Sequence, residues 1–427
     1  MNRYGRQFEG DRPDDHRNAY QRDRDRILYT SHLRRLAGTT QVAASNEGHV
    51  YHNRLTHTME VAQIAKRLAE RLWMRQPDLA ERLEVNSDVA EASAWAHDLG
   101  HPPFGHNGEQ VMDEALLELA PGSDGFEGNA QTFRIITRLS IRHHEQPGLN
   151  LTRATLNATL KYPWLRAKSG PRHEKFGAYR ADREAFEWAR EGVPGDQRTV
   201  EAEIMDVADD IAYSVHDLFD FYRAGLIPMH RIVTSRTEFE AFVEGVKAHY
   251  AAKGEPFPLE DPEVEEVYDE VFAPFPLEVE FDGSQAQRGR LRSFASQMIS
   301  RYVTWTLRLI DPDQNEGRSV AIDPKHEKEL FMLKQLTAHF VIRRESLRAI
   351  QHGQARVLRD SLEVLLDDAR LERPRLLPDW ARHDLDRGQA PERVVADIVS
   401  GLTEAQAYRL HERLSGRAPG SLLDTIL

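Results

Sequence analysis

Cysteine is absent from all 427 residues. Disulfides and thiolate metal sites are therefore excluded, and any bound metal must be held by His, Asp or Glu. No apolar run approaches the length needed to cross a bilayer. The N-terminal run MNRYGRQFEGDRPDD has no apolar stretch after its charges, so it does not read as a secretory signal. These absences fit a cytoplasmic protein. Positive charge is also short: 56 Lys and Arg face 69 Asp and Glu, a net charge of −13. That argues against general electrostatic binding of nucleic acid, while leaving room for a local basic pocket that takes a polyphosphate. Strand-like alternation is scarce, and no GxxxxGK[ST] phosphate loop occurs.

The rest is ordinary globular composition, with 40% hydrophobic and 29% charged residues, enough for a large core or two to three packed units. Residues 1–26 are polar, with seven Arg among Asp and Glu, and read as an arm or a partly ordered segment. From Ile27 helical periodicity takes over. Thr58 to Trp73 places Val61, Ile64, Leu68 and Leu72 on one face. Asn86-Ser87-Asp88 is a good N-cap for a helix running to Ala96 and His97. Pro102-Pro103 breaks the chain, and Asn107 to Leu119 resumes the helical pattern. Thr199 to Arg223 reads as a long helix stopped by Gly225 and Pro228. Lys168 to Gly177 and Gly254 to Gly283 read as loops, the second acidic, Pro-rich and helical in parts. From Lys325 the chain is helical again, and the stripe Phe331, Leu333, Leu336, Phe340 and Val341 reads as core or subunit packing. The expected fold is all-α: a polar arm (1–26), a core (27–230), a partly helical acidic insertion (231–320) and a C-terminal helical region (321–427) that packs on the core or forms an oligomer interface.

Histidine is plentiful, at 19 residues, and clustered. Ala96-His97-Asp98-Leu99-Gly100-His101-Pro102-Pro103-Phe104-Gly105-His106 carries three His and one Asp within ten residues. An adjacent His-Asp at a helix end presents an imidazole nitrogen and a carboxylate oxygen to one cation. The turn that follows lets His101 and His106 face the same space. The bland alternative, a solvated turn with incidental histidines, does not account for the other segments. His57, in Arg54-Leu55-Thr56-His57, lies on the inward face with Val61, Ile64 and Leu68. On the late helix Asp209, Tyr213 and Asp217 stack at spacings of four, near Asp206 and His216, with Ile204, Val207, Ile211 and Val215 on the other side. Like charges along one face are unfavourable unless a cation or ligands offset them, which weighs against a bare solvated surface. His143-His144 reads equally as pocket lining or as a solvated helix end.

RLTH (54–57), HDLGHPPFGHNGE (97–109) and MDVADDIAYSVHDL (205–218) resemble, in order, the signatures of the HD-domain deoxynucleoside triphosphate triphosphohydrolases, the bacterial dGTPase-like family. RRLAGTTQV (34–42), FEGNAQ (126–131), LNLTRATL (149–156) and KYP (161–163) are similar to the same family. The likeness runs from about residue 22 to 225, and more loosely after Lys325.

The resemblance implies an HD-domain helical core and one divalent cation per subunit, Mn²⁺ or Mg²⁺, with Co²⁺, Fe²⁺ or Zn²⁺ also compatible with a two-His, two-carboxylate set. It places the cation on His57, His97, Asp98 and Asp209, with Asp206 and Asp210 as fallback ligands. It makes His106 and Glu109 the catalytic pair. Tyr213 and Asp217 would meet the sugar and phosphate region, Arg54 with Lys161 or Lys175 the phosphates, His101 the substrate wall, and Arg35 and Leu36 the base. The implied reaction cleaves a dNTP (dGTP or several dNTPs) to deoxynucleoside and triphosphate. An activating second dNTP and a homo-oligomer, tetramer or hexamer, follow from the same resemblance, with nucleic acid only as a regulator. The alternatives are another HD phosphohydrolase (a nucleotide monophosphatase or cyclic-nucleotide phosphodiesterase), which would not need all these motifs together, or a non-catalytic nucleotide or single-stranded DNA sensor, in which His106 or Glu109 would be eroded.

Overall fold

A computed structural model describes residues 2–8, 15–39 and 52–418. The end of the 34–42 motif lies outside the described residues. The architecture is all-α, as expected; among the described residues the one sheet is a two-stranded antiparallel ribbon, β1 (Leu307–Leu309) with β2 (Val320–Ile322). No helix among them is long and apolar enough to cross a membrane.

The helices that build the site are α1 (Ala19–Leu28), α2 (Arg54–Arg75), α3 (Ser87–Ala96), α4 (Gly105–Leu119), α5 (Gly128–Arg134), α6 (Val200–Arg223), α7 (Arg236–Lys253), α8 (Gln285–Trp305), α9 (Pro324–Thr337), α10 (Glu345–Ala369), α11 (Pro391–Ser400) and α12 (Glu404–Leu414). Each start has a local cause. Asn53 caps α2 by accepting from Thr56 N at 3.0 Å, and Asn86 caps α3 by accepting from Asp88 N and Val89 N. Thr199 accepts from Ala202 N to open α6. The i, i+3, i+4 stripe of α2 (Val61, Ile64, Ala65, Leu68, Leu72) packs with Ala90 and Ala94 of α3 and with Ile204, Ala208, Ile211 and Val215 of α6. The alanines let the three backbones approach closely, so polar groups at the ends of different helices can share a small space.

The acidic 231–320 region contributes to the main core. Phe239, Phe242 and Val246 of α7 and Leu291, Met298 and Tyr302 of α8 lie in the same hydrophobic cluster as Val61 and Ile211. The acidic, Pro-rich stretch expected to be helical in parts contains a helix, Asp261–Val267, with Pro in its first turn, where a missing N–H costs nothing. Leu333, Leu336 and Val341 of the C-terminal stripe are buried in that cluster too. A second cluster fastens α10, α11 and α12 to α4, through Leu358, Leu362 and Leu365 against Met112, Ala115 and Leu116. The C-terminal region therefore holds the helix that carries His106 and Glu109. In the polar arm Arg3 is paired with buried Glu201, and Arg6 with Asp23 of α1.

Candidate active site

His97 ends α3, and the turn after it is tightly constrained. The backbone at Gly100 passes so close to α5 that a Cβ would lie 2.1 Å from the Gly128 carbonyl oxygen. Thr132 Oγ1 stitches this turn, accepting from Gly100 N at 2.9 Å and donating to the His97 carbonyl at 3.1 Å. Phe104 then adopts a left-handed conformation, φ 68°, a costly state for a bulky residue, and launches α4 two positions before His106.

The pocket this turn borders has a volume of about 280 Å³ and brings together side chains from segments far apart in the chain, among them 54–57, 97–109, 161–175 and 205–213. His57 Nε2 lies 3.0 Å from Asp209 Oδ1, and His97 Nε2 lies 3.8 Å from the same oxygen. One ligand atom from each of these three residues falls within 4.8 Å of the others. Asp98 Oδ1 is 3.5 Å from His97 Nε2, while Asp98 Oδ2 accepts from Arg54 Nη1 at 2.7 Å.

These groups fit a divalent cation. His97 Nδ1 donates to the Ala94 carbonyl at 2.7 Å, which fixes the tautomer and leaves Nε2 with its lone pair facing the cluster. That buried Nε2 has no hydrogen-bond partner. Burial opposes ionisation of Asp98 and Asp209, yet both carboxyls lie below the usual range. The Arg54 charge holds Asp98 down; the hydrogen bond to His57 and the Lys161 charge hold Asp209 down. The fallback aspartates are otherwise engaged. Asp206 is bound by Lys161 Nζ at 2.6 Å and Arg198 Nη1 at 2.7 Å, and Asp210 by Lys334 Nζ at 2.6 Å.

A second constellation lies on an adjoining wall. His106 Nδ1 is 3.1 Å from Glu109 Oε2, and the imidazole is 75% exposed while the carboxylate is buried. Glu109 Oε1 accepts from Gly128 N at 3.2 Å and from Lys175 Nζ at 2.8 Å. His101 bridges the two groups, with Nδ1 3.0 Å from Asp98 Oδ1 and Nε2 4.0 Å from Glu109 Oε2. Burial and the nearby Arg54 charge push His101 down to about 4, so it is neutral near pH 7. Arg54, Lys161, Lys175 and Tyr213 complete the positions expected from sequence that line this pocket.

Three expected substrate residues lie elsewhere. Asp217 is buried off the pocket lining; burial and the neighbouring Asp220 raise its carboxyl well above the usual range. Arg35 and Leu36 are not brought to the pocket. Arg35 is buried behind the His97–His101 turn, donating to the Leu99 and His101 carbonyls at 2.8 Å and to the Leu402 carbonyl at 3.1 Å, and Leu36 is fully buried core. Arg35 thus clamps the turn to the C-terminal region. His143 and His144 are exposed and away from this pocket. Conversely, Tyr162, Asn129, Leu347 and Gln351 line it without having been singled out. Tyr162 and Asn129 stand inside the 161–163 and 126–131 motifs and were within reach of sequence reasoning; Leu347 and Gln351 sit on a distant amphipathic helix and carry no local signal.

Residues 54–214 match the HD domain family, and residues 320–413 match the phosphohydrolase-associated domain. Similar proteins span nearly the whole chain. A deoxyguanosinetriphosphate triphosphohydrolase-like protein of Streptomyces coelicolor is 37% identical over 419 residues, 94% of this chain and 93% of its own. A protein of the same description from Bifidobacterium longum is 33% identical over 93% of this chain and 83% of its own. One from Vibrio vulnificus is 30% identical over 94% of each.

Proposed function

The chain belongs to the HD-domain phosphohydrolases of the deoxyguanosinetriphosphate triphosphohydrolase-like family, and on that premise we propose that its pocket cleaves deoxynucleoside triphosphates to deoxynucleoside and triphosphate. The observation that carries this reading is the His106–Glu109 pair facing the same pocket as His57, His97, Asp98 and Asp209. A bare metal cluster would serve many HD hydrolases; a paired acid–base beside it supplies the proton transfers that ester cleavage needs.

A divalent cation held by His57, His97, Asp98 and Asp209, Mn²⁺ or Mg²⁺ in this reading, would neutralise charge developing on the α-phosphate. Arg54 and Lys161 bring positive charge to the phosphates in a chain that is acidic overall. Water attacks the α-phosphorus in line with the departing 5′-oxygen of the nucleoside. His106, in its doubly protonated form, keeps Nδ1–H on Glu109 and gives its Nε2 proton to the leaving oxygen. The proton released by the attacking water passes to solvent and the exposed ring takes one back, so that dNTP and water yield deoxynucleoside and triphosphate. Glu109, buried and anchored from three directions, fixes the ring. Neutral His101 closes the wall between the two groups without adding a charge. Tyr213 meets the sugar. A homo-oligomer and activation by a second deoxynucleotide belong to the same reading.

Hydrolysis in ¹⁸O-labelled water tests the bond that breaks. Label in the triphosphate product supports attack at the α-phosphorus, whereas label in the 5′-hydroxyl of the deoxynucleoside means C–O cleavage and defeats this mechanism.

A further inference from the structure

Lys175 reaches the pocket from the 160–177 segment, yet its ammonium is committed to protein carboxylates. Nζ donates to Glu109 Oε1 at 2.8 Å and to Glu127 Oε1 at 3.2 Å. Its main chain is pinned as well, because Trp164 Nε1 donates to the Lys175 carbonyl at 2.7 Å. Glu127 has an almost fully buried side chain and splits its two oxygens between two tasks. Oε2 caps α5, accepting from Asn129 N at 2.5 Å and Ala130 N at 3.0 Å. Oε1 accepts from Asn129 Nδ2 at 2.8 Å and faces Lys175.

A cap alone does not call for glutamate. Asp, Asn, Ser and Thr are the preferred N-caps because a short side chain reaches the second and third amides. The extra methylene of Glu127 places its other oxygen on Lys175. The α5 N-terminus contributes too, since Gly128 N donates to Glu109 Oε1 at 3.2 Å. Glu109 is therefore held through one oxygen by Lys175 and the helix end, leaving its other oxygen for His106. We propose that Glu127 and Lys175 are positioning residues for the hydrolysis, holding Glu109 aimed at His106. This rests on the reading of the His106–Glu109 pair given above. The electrostatics agree: burial and then Glu109 push the Glu127 carboxyl up to about 7, and Lys175 is the cation that offsets both acids.

The test is steady-state hydrolysis of dGTP with Mn²⁺ by wild type, Lys175→Met, Lys175→Arg, Glu127→Gln and Glu127→Asp, alongside long-range ¹H–¹⁵N spectra that report the tautomer of His106. Positioning predicts that Lys175→Met and Glu127→Gln lose on the order of 10- to 100-fold in kcat, the range typical of residues that orient a reacting group, with KM changed by less than about threefold. Lys175→Arg recovers most of the rate, and Glu127→Asp keeps the melting temperature but not the rate. In both damaging variants His106 loses the preference for a protonated Nδ1. A Lys175→Met enzyme with unchanged kcat and KM raised about tenfold or more would make Lys175 a phosphate ligand and overturn the proposal. So would an unchanged His106 tautomer in both variants. Wild-type protein that leaves dGTP intact would defeat the substrate reading instead, and the His106 spectra would still decide the positioning role.

Discussion

Arg54 and Asp98 form a buried ion pair, Nη1 to Oδ2 at 2.7 Å, that ties the first turn of α2 to the end of α3. Each residue has a second face in the pocket, so the pair sets the charge of the site as well as its geometry. Removing one member of a buried pair strands the other. Arg54→Met is expected to lose about 3–5 kcal/mol of stability in urea unfolding with a chelator present. The double variant Arg54→Met/Asp98→Asn should recover a substantial part of that loss, because no unpaired charge remains. Wild-type stability in Arg54→Met would contradict the pairing.

Cation binding should separate the three aspartates of α6. Asp209 meets His57 and His97, whereas Asp206 and Asp210 are neutralised by Lys161, Arg198 and Lys334. Titration calorimetry with Mn²⁺ is expected to show binding lost in His97→Ala and Asp209→Asn and retained in Asp206→Asn and Asp210→Asn. Loss on Asp206→Asn with retention on Asp209→Asn would reverse the assignment.

His106 stands apart from the cation ligands, so its removal should separate chemistry from binding. His106→Gln is predicted to keep Mn²⁺ affinity and KM while kcat falls by roughly 10²- to 10⁴-fold, the range for a lost general acid. Near-normal kcat would remove His106 from the mechanism.

A pH-dependent contribution to stability sits beside the site. His52 Nδ1 is 2.5 Å from Asp220 Oδ2, and its Nε2 is 3.0 Å from Glu60 Oε1. Burial disfavours the charged ring, but the bonds to Asp220 and Glu60 outweigh it and raise His52 from 6.5 to about 10. The folded value exceeds the unfolded one, so this stabilisation is complete below about 6.5 and disappears as pH rises through about 10. Glu60 runs the other way: burial opposes its charge, His216 and His52 win, and the carboxyl falls from 4.5 to about 2. Its share is present above about 4.5 and lost as pH drops through about 2. The gap in melting temperature between wild type and His52→Gln should therefore be widest near pH 5–6.5 and close by about pH 10. A gap that does not vary with pH would show that His52 acts by packing alone.

What could be read from sequence was what local periodicity encodes. The stripe on α2, the Asn86 cap, and the spacing of Asp209 and Tyr213 are properties of single helices, and all three reappear in the structure. Choosing among Asp206, Asp209 and Asp210 was not local: it depends on Lys161, Arg198 and Lys334, which arrive from other segments. Arg35 illustrates the opposite failure. Its place in a family-like motif suggested substrate contact, while its guanidinium is spent on three main-chain carbonyls far away in sequence. The acidic 231–320 region read only as a partly helical insertion because its charges dominate its composition; its buried Phe and Val residues are spaced by helix turns interrupted by prolines, and they enter the main core.

The most direct test of the central claim is product analysis after incubating the purified protein with dGTP and Mn²⁺, resolving nucleoside from nucleotides and triphosphate from pyrophosphate and phosphate. The account predicts deoxyguanosine and intact triphosphate in equal amounts. Release of dGDP with phosphate, or of dGMP with pyrophosphate, would contradict it.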